Sequence, residues 1–474
     1  MQKLLQPNFG RALAGALLLS SAFSLAMAAE TSGFTGLRQS WEASLQNDPA
    51  FAAIEARHET SRSKLTEARA LWLPTLSAQG GIGRGDQQSE TRGAAFSTPT
   101  LPETRGVNFL TQMDTSTRSH WSFEARQPLL DNDRRIDASG LKNAANQAEV
   151  QYLDARQQQI LKVAEAWIGA INAANDLSAV QRLIAAADRA GGLAQARYDA
   201  GELPITDLRD AQALRDTTAV RLLDARNALD VAQLKFTHLT GLQPPTALPL
   251  PDVTPHGLAL EERFELWQQR AQKNSPQLIL QTLRSAQADS EVSRHGVLAG
   301  AQVSVVAITG RNLATGSGSY GRSAQESQDS LLGLEAHIPL FTGGMRSAQR
   351  NEARALARAA SADLQSVRQQ LDEQLHAAWL RLTTAEARRK ALARAASSAA
   401  MRLDATRIGL EAGDRTTLDV LTAESDQLRL DAERQRAALD LLLADLHLRA
   451  VTGTLSPETL EHFDDWLTPS VAAH

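Results

Sequence analysis

Two stretches of the chain place a glycine and an acid at one spacing: Gly201 with Asp207, and Gly413 with Asp419, the second pair repeating the first at an offset of 212. Other residues invite a chemical reading and do not sustain it. Ser61 to Lys64 (SRSK) fits the S-x-x-K pattern of an acylated serine with a lysine base, but it sits in a helical region without the companion motifs. Gly81 to Asp86 (GIGRGD) is a glycine-rich run after a strand-like segment. No helix opens after it to present N–H groups to a phosphate, so it reads as strand end and loop. The ten histidines form no H-E-x-x-H and no ligand cluster. With no cysteine, the chain has no disulfide, no thiolate metal site and no lipobox residue for acylation. No catalytic set remains, and the chain reads as a non-enzyme.

The rest of the composition narrows the class. At 474 residues the chain is too long for one ordinary domain, and 4% aromatics is thin for a large globular core. A net charge of -5 without a basic stripe argues against nucleic acid. Lys3 and Arg11 precede the apolar run ALAGALLLSSAFSL and the small-residue stretch AMAAE, so residues 1–28 are expected to be a signal peptide cleaved after Ala28. Beyond it no stretch of about 18 apolar residues occurs; a chain that spans a membrane this way must do so with strands.

The glycine–acid pairs belong to a longer repeat. Trp167 pairs with Trp379, Leu229 with Leu441, and Thr240–Gly241 with Thr452–Gly453, all at the same offset of 212. Pro128 pairs with Pro339 at 211, and Asn47–Pro49 with Asn274–Pro276 at 227. The order of Pro, Trp, Gly and Asp landmarks indicates a tandem duplication. Residues 29–241 form the first repeat, 242–257 a linker, 258–453 the second repeat and 454–474 a C-terminal tail. Each repeat opens with a helical stretch (about 37–72 and 258–296). Two strands follow (74–84 with 118–128, and 300–311 with 328–339), then a long helix pair (131–240 and 343–452). The polar stretches 85–116 and 312–328 are expected to be loops.

In the long helices Ile160, Val163, Trp167 and Ala170, and Leu371, Leu375, Ala378 and Leu382, recur at alternating steps of three and four, the pattern of coiled-coil packing. A helix of about 68 residues runs roughly 100 Å. In the strand segments Leu332, Leu334, Ala336 and Ile338 alternate with Gly333, Glu335 and His337, and Trp121, Phe123 and Ala125 with Ser122, Glu124 and Arg126. The alternation fits a transmembrane strand, and equally a soluble hairpin at the end of a coiled coil. Four strands cannot close a barrel, for which about eight are needed, so insertion in lipid requires several chains to share one.

Taken together, NDPAFAAIEARHETSRSKLTEARALWLPTLSA, QPLL, IPLF, RYDAGELPITDL, EAGDRTTLDVLTAE and the closing VTG resemble the TolC family of outer-membrane channel-tunnels over nearly the whole chain after the signal peptide. The resemblance implies a mostly α fold with a membrane β-barrel portion. A homotrimer would form a twelve-stranded β-barrel continued by a long α-helical barrel across the periplasm. It implies an exit duct in outer-membrane lipid, working with an inner-membrane ABC transporter and a periplasmic adaptor. The cargo would be an exported protein in type I secretion, or small molecules in multidrug efflux. Energy would come from the pump, so no cofactor is expected.

The family's periplasmic latch falls here on Thr206, Asp207 and Arg415, near the helix-turn glycines Gly201 and Gly413; the alternative is a solvated charge pair at a helix end. The family's acidic ring falls on Asp419. Its second acidic position is occupied by Thr422, and an aromatic of the latch by Leu410; Glu424 lies nearby. The barrel-to-helix boundaries fall on Pro128 and Pro339. A non-channel periplasmic coiled-coil adaptor or scaffold is the competing class, and it requires neither the strands nor the repeated turns.

Overall fold

The computed structural model describes residues 36–98, 100–202, 204–245, 258–318 and 321–467. The expected signal peptide, 1–28, and residues 246–257 of the expected linker lie outside these.

Each repeat opens on two helices: α1 (Leu37–Asn47) and α2 (Pro49–Ala70) in the first, α5 (Phe264–Asn274) and α6 (Pro276–Arg294) in the second. Both breaks fall at a proline in the first helical position, where its missing N–H and fixed φ suit a start and forbid a continuation. The single leading stretches expected at 37–72 and 258–296 are thus each two helices. Asp48 seals the first break, its side chain accepting from the Ala50 N–H at 3.0 Å. Two strands follow, β1 (Thr75–Thr98) with β2 (Leu101–Asp131) and β3 (Gln302–Gly318) with β4 (Gly321–His337). Then come the long helices α3 (Asn132–Asp199) and α7 (Met345–Ala412), each of 68 residues, and the returning helices α4 (Ile205–Thr240) and α8 (Thr417–Val451). The expected tail carries α9 (Pro457–Leu467), which packs on α1. The Asp464 carboxylate of α9 caps α1 by accepting the N–H of Leu37 at 2.6 Å and of Arg38 at 2.9 Å.

The duplication is visible in the strand register. Moving a β1 residue forward by 227 and its β2 partner by 211 lands on a β3–β4 pair. Thr75 with Arg126 becomes Gln302 with His337, and Gly83 with Arg118 becomes Gly310 with Asp329. The two hairpins join through an antiparallel β2–β3 ladder into one sheet, ordered β1-β2-β3-β4 with β1 and β4 at its edges.

The strands run well beyond the expected limits. Residues 85–98, 101–116, 312–318 and 321–328 were expected as loops and instead continue the ladders. Alternating hydrophobicity marks only strand residues with one apolar face. The extensions are mostly polar, with a few apolar residues such as Val107, Phe109, Leu110 and Met113 among glycines and charged residues, and main-chain pairing of such a mixture leaves no clear alternation.

Register places Leu76, Ala78, Phe123, Ala125, Val305, Ala307, Leu332 and Leu334 on one face of the sheet. Leu76, Ile82, Leu332 and Leu334 are 74–80% exposed, so among the described residues no layer covers that face. From Leu76 to Ile82 it runs about 20 Å, close to the height of an apolar band facing lipid. On the opposite face Arg126 donates to Glu124 (3.0 Å), Glu335 (3.1 Å) and the Ser304 hydroxyl (3.0 Å). Among the described residues no helix is long and apolar enough to cross a membrane.

The helical part buries the residues that carry its periodicity. Ile160, Val163, Trp167 and Ala170 of α3 are buried, as are Leu371, Leu375, Ala378 and Leu382 of α7. α3 packs on α4 and α7 on α8, and α3 also packs on α8, joining the two repeats side by side. The start of the second repeat is pinned to the same helix: the Ala259 N–H donates to the buried Asp445 carboxylate at 2.7 Å, which Arg449 also reaches at 2.6 Å.

Candidate functional site: the helix turns and the barrel boundary

The turn from α3 to α4 is made at Gly201, whose φ of +75° favours a residue without Cβ; the turn from α7 to α8 is made at Gly413, with φ +87°. Three residues on, the repeats diverge. Position 416 is a threonine, and it caps α8: its hydroxyl accepts the Asp419 N–H at 3.1 Å while the Asp419 carboxylate accepts the Thr416 N–H at 2.9 Å. This is a reciprocal capping box. The equivalent position in the first repeat is Pro204, which has neither a hydroxyl nor an N–H, so the box cannot form. Asp207, the counterpart of Asp419, accepts instead from the hydroxyl of its neighbour Thr206 at 3.2 Å.

The two acids therefore differ in their hydrogen-bond partners for a local reason. The Thr416 N–H, the Thr416 hydroxyl and the nearby Arg415 charge hold the Asp419 carboxyl below the usual carboxylate range. Among the described residues Asp207 has no backbone donor of this kind, and it is half-buried. Arg415 is exposed, and its side chain lies over Gly409, where an added Cβ would come within 2.7 Å of the Arg415 Cγ. Within one copy no ion pair joins Arg415 to Asp207 among the described residues. Thr422, at the family's second acidic position, donates to the Leu418 carbonyl of its own helix at 2.8 Å, and Leu410 is half-buried.

At the other end of the long helices, Pro128 lies within β2 beside a register shift, and Pro339 follows the end of β4. Both boundaries are held by an arginine that the motif reading passed over. Arg134 donates to the Leu71 carbonyl at 2.7 Å and to Asp131 at 3.1 Å. Its counterpart in the second repeat, Arg346, donates to the carbonyls of Ala299 at 3.0 Å and Pro339 at 2.9 Å. Each ties the first turn of a long helix to the segment entering the hairpin that precedes it. Their spacing, the same offset that relates the two glycine turns, was the signal that would have found them.

A long coiled coil ending in paired glycine turns, topped by an open-edged sheet with a bare apolar face, matches one known family. The model described as outer membrane efflux protein matches residues 41–242 and 267–454, one segment per repeat. The chain belongs to this family. Among its relatives, the outer membrane protein TolC of Vibrio cholerae is 26% identical over 420 residues, covering 87% of this chain and 89% of that one. The alkaline protease secretion protein AprF of Pseudomonas aeruginosa is 25% identical over 472 residues, covering 97% and 91%. The solved CmeC outer membrane channel of Campylobacter jejuni superposes with a TM-score of 0.68 at 13% identity, covering 98% of each chain. This member of the family is thus an outer-membrane channel of a Gram-negative bacterium, extending into the periplasm, and its work is transport rather than catalysis. The choice between lipid-facing strands and a soluble hairpin falls to the first, and the scaffold class is set aside.

Proposed function

We propose that three copies assemble into an exit duct for type I secretion, releasing an RTX-type protein toxin such as cyclolysin to the medium. The duct works with an inner-membrane ABC transporter and a periplasmic adaptor. The observation that carries the assembly is the sheet: four strands, two open edges and an uncovered apolar face. An open edge is not tolerated in lipid, and three such sheets supply twelve strands to a closed barrel. The protein cargo is supported by the similarity over nearly the full chain to a relative named for protease secretion. Efflux of small molecules is the second reading, supported by the description of the family model itself.

A deletion strain separates the two. Loss of RTX-type toxin from the medium, with unchanged drug sensitivity, is the expected result; unchanged toxin export rejects the secretion assignment. Signal-peptide removal after Ala28 is checked by N-terminal sequencing of the purified protein.

The periplasmic mouth is part of this proposal. Asp207 with Thr206 in one copy and Arg415 in the next form a latch between copies. Each such pair is worth only about 0–1 kcal/mol, weak enough for a docking partner to open. Arg415→Ser combined with Asp207→Ala is expected to raise single-channel conductance in planar bilayers, and unchanged conductance rejects the latch. Three Asp419 carboxylates form the ring of the mouth. Asp419→Ala is expected to relieve block by trivalent cations.

A further inference from the structure

We propose that a polar cavity in the helical wall, where the two repeats meet, binds an elongated organic polycation of the polyamine class. The site lies within one copy, so it does not depend on the trimeric reading above.

The cavity has a volume of about 400 Å³, with α3 on one side and the α5–α6 break, α7 and α8 on the other. That size is ordinary for a small-molecule site. Carboxylates stand at both ends of the α3 wall. Asp154 and Glu165 are eleven residues apart, or three helical turns, which puts them on one face with a rise of about 16 Å between them. Neither is neutralised. Asp154 has no ion-pair partner among the described residues, and burial raises its carboxyl above the usual range, only partly offset by a hydrogen bond from Gln158. Glu165 faces His447 at 3.5 Å, but burial holds that imidazole below its usual pKa, with the charge of Arg381 acting in the same direction. At pH 7 it is neutral. Lys162, between the two acids on α3, gives its ammonium to the buried Asp48 carboxylate at 2.6 Å.

A second observation comes from the opposite wall. Ser275, at the α5–α6 break, lines the cavity while only 1% exposed, and its hydroxyl has no hydrogen-bond partner among the described residues. A buried hydroxyl left in this state is uncommon, and a ligand N–H would satisfy it. The spacing then selects the occupant. Acids three turns apart cannot share one metal ion, whose oxygen ligands sit within about 2.6 Å of it. A linear polyamine offers an ammonium to each acid, an N–H to Ser275, and methylenes to Leu161 and Pro276 between them. The fold itself does not require these acids. At the corresponding positions of the other repeat Asp154 is replaced by Ser366, Glu165 by Ala377 and His447 by Lys235.

The test is calorimetric titration of the purified protein in detergent with spermidine. Saturable binding of one equivalent per chain is expected, with the shorter putrescine binding more weakly because it cannot reach both acids. Asp154→Asn and Glu165→Gln are each expected to weaken spermidine binding about fivefold. Gln277→Trp, which obstructs the cavity from an exposed position without changing its charge, is expected to abolish it. Glu373→Gln removes an exposed acid of α7 outside the lining and is expected to leave binding unchanged. The proposal is overturned by absence of saturable binding, or by binding that survives Gln277→Trp or the combined Asp154→Asn and Glu165→Gln exchange. An equal loss in Glu373→Gln would reduce the effect to net charge and overturn it as well. A monomer in detergent that still binds spermidine through Asp154 and Glu165 would reject the trimeric reading and uphold the site.

Discussion

The two repeats follow one plan, and they differ most at their corresponding turns. At the periplasmic end Thr416 and Asp419 cap α8 through a reciprocal pair of hydrogen bonds. In the first repeat Pro204 abolishes that pair and leaves Asp207 to its neighbour Thr206. At the other end of the same helices, Gly241 and Gly453 both adopt φ +70°. A Cβ at 241 would meet the side chain of Asn47 at 3.0 Å, whereas one at 453 would collide with the Asn274 carbonyl oxygen. A duplicated fold holds position more faithfully than environment, so the same residue type at the same place performs different work.

The largest predicted effect tests that statement where the environment differs most. Gly453→Ala forces an unfavourable φ on alanine and also displaces the main chain of Asn274, for a combined cost of about 3–4 kcal/mol. Gly241→Ala carries the same φ strain, but its neighbour is a side chain that can rotate, so the cost is about 1 kcal/mol. Thermal unfolding of the two variants, followed by circular dichroism in detergent, should rank them in that order. Equal melting shifts would mean that the close approach at Gly453 is not what separates the turns.

Next in size is the cap. Thr416→Ala removes the hydroxyl that receives the Asp419 N–H, at a cost of about 1 kcal/mol, which speeds amide exchange in the first turn of α8 about fivefold. Pro204→Thr supplies the missing hydroxyl and N–H to the first repeat and is expected to slow exchange at the start of α4 by a similar factor. Because the new cap would occupy the Asp207 carboxylate, the same variant should also weaken the proposed latch and raise conductance. Protection of α4 without any change in conductance would separate the cap from the gate.

Much of this architecture was legible in the residues. The offsets of 211, 212 and 227 came from prolines, tryptophans and glycines, and the strand register follows the first and last of them. The heptads were legible because burial repeats with the helical period. The strand extensions were not, since main-chain pairing of mostly polar, glycine-interrupted segments leaves little mark in side-chain pattern. The latch and ring assignments came from resemblance. The divergence between them was nonetheless spelled out locally, as T-T-L-D at 416–419 against P-I-T-D at 204–207. Only the first contains a capping pair.

The smallest predicted effect is a pH dependence of the second turn. Asp419 has its folded pKa depressed below the usual 3.8 by the Thr416 N–H, the Thr416 hydroxyl and Arg415. A depressed pKa means that the carboxylate form is favoured by folding. Its contribution to the turn is present above the unfolded value and is lost as pH falls through the folded one. Asp419→Asn carries no such charge. Amide protection at the start of α8 should therefore be higher in the native chain than in this variant at about pH 6, and the two should converge as pH falls through the folded pKa. A difference that persists unchanged into acid would show that the side chain acts there by shape and hydrogen bonding alone. It would also leave the absent hydroxyl and N–H at Pro204 as the whole of the difference between the turns.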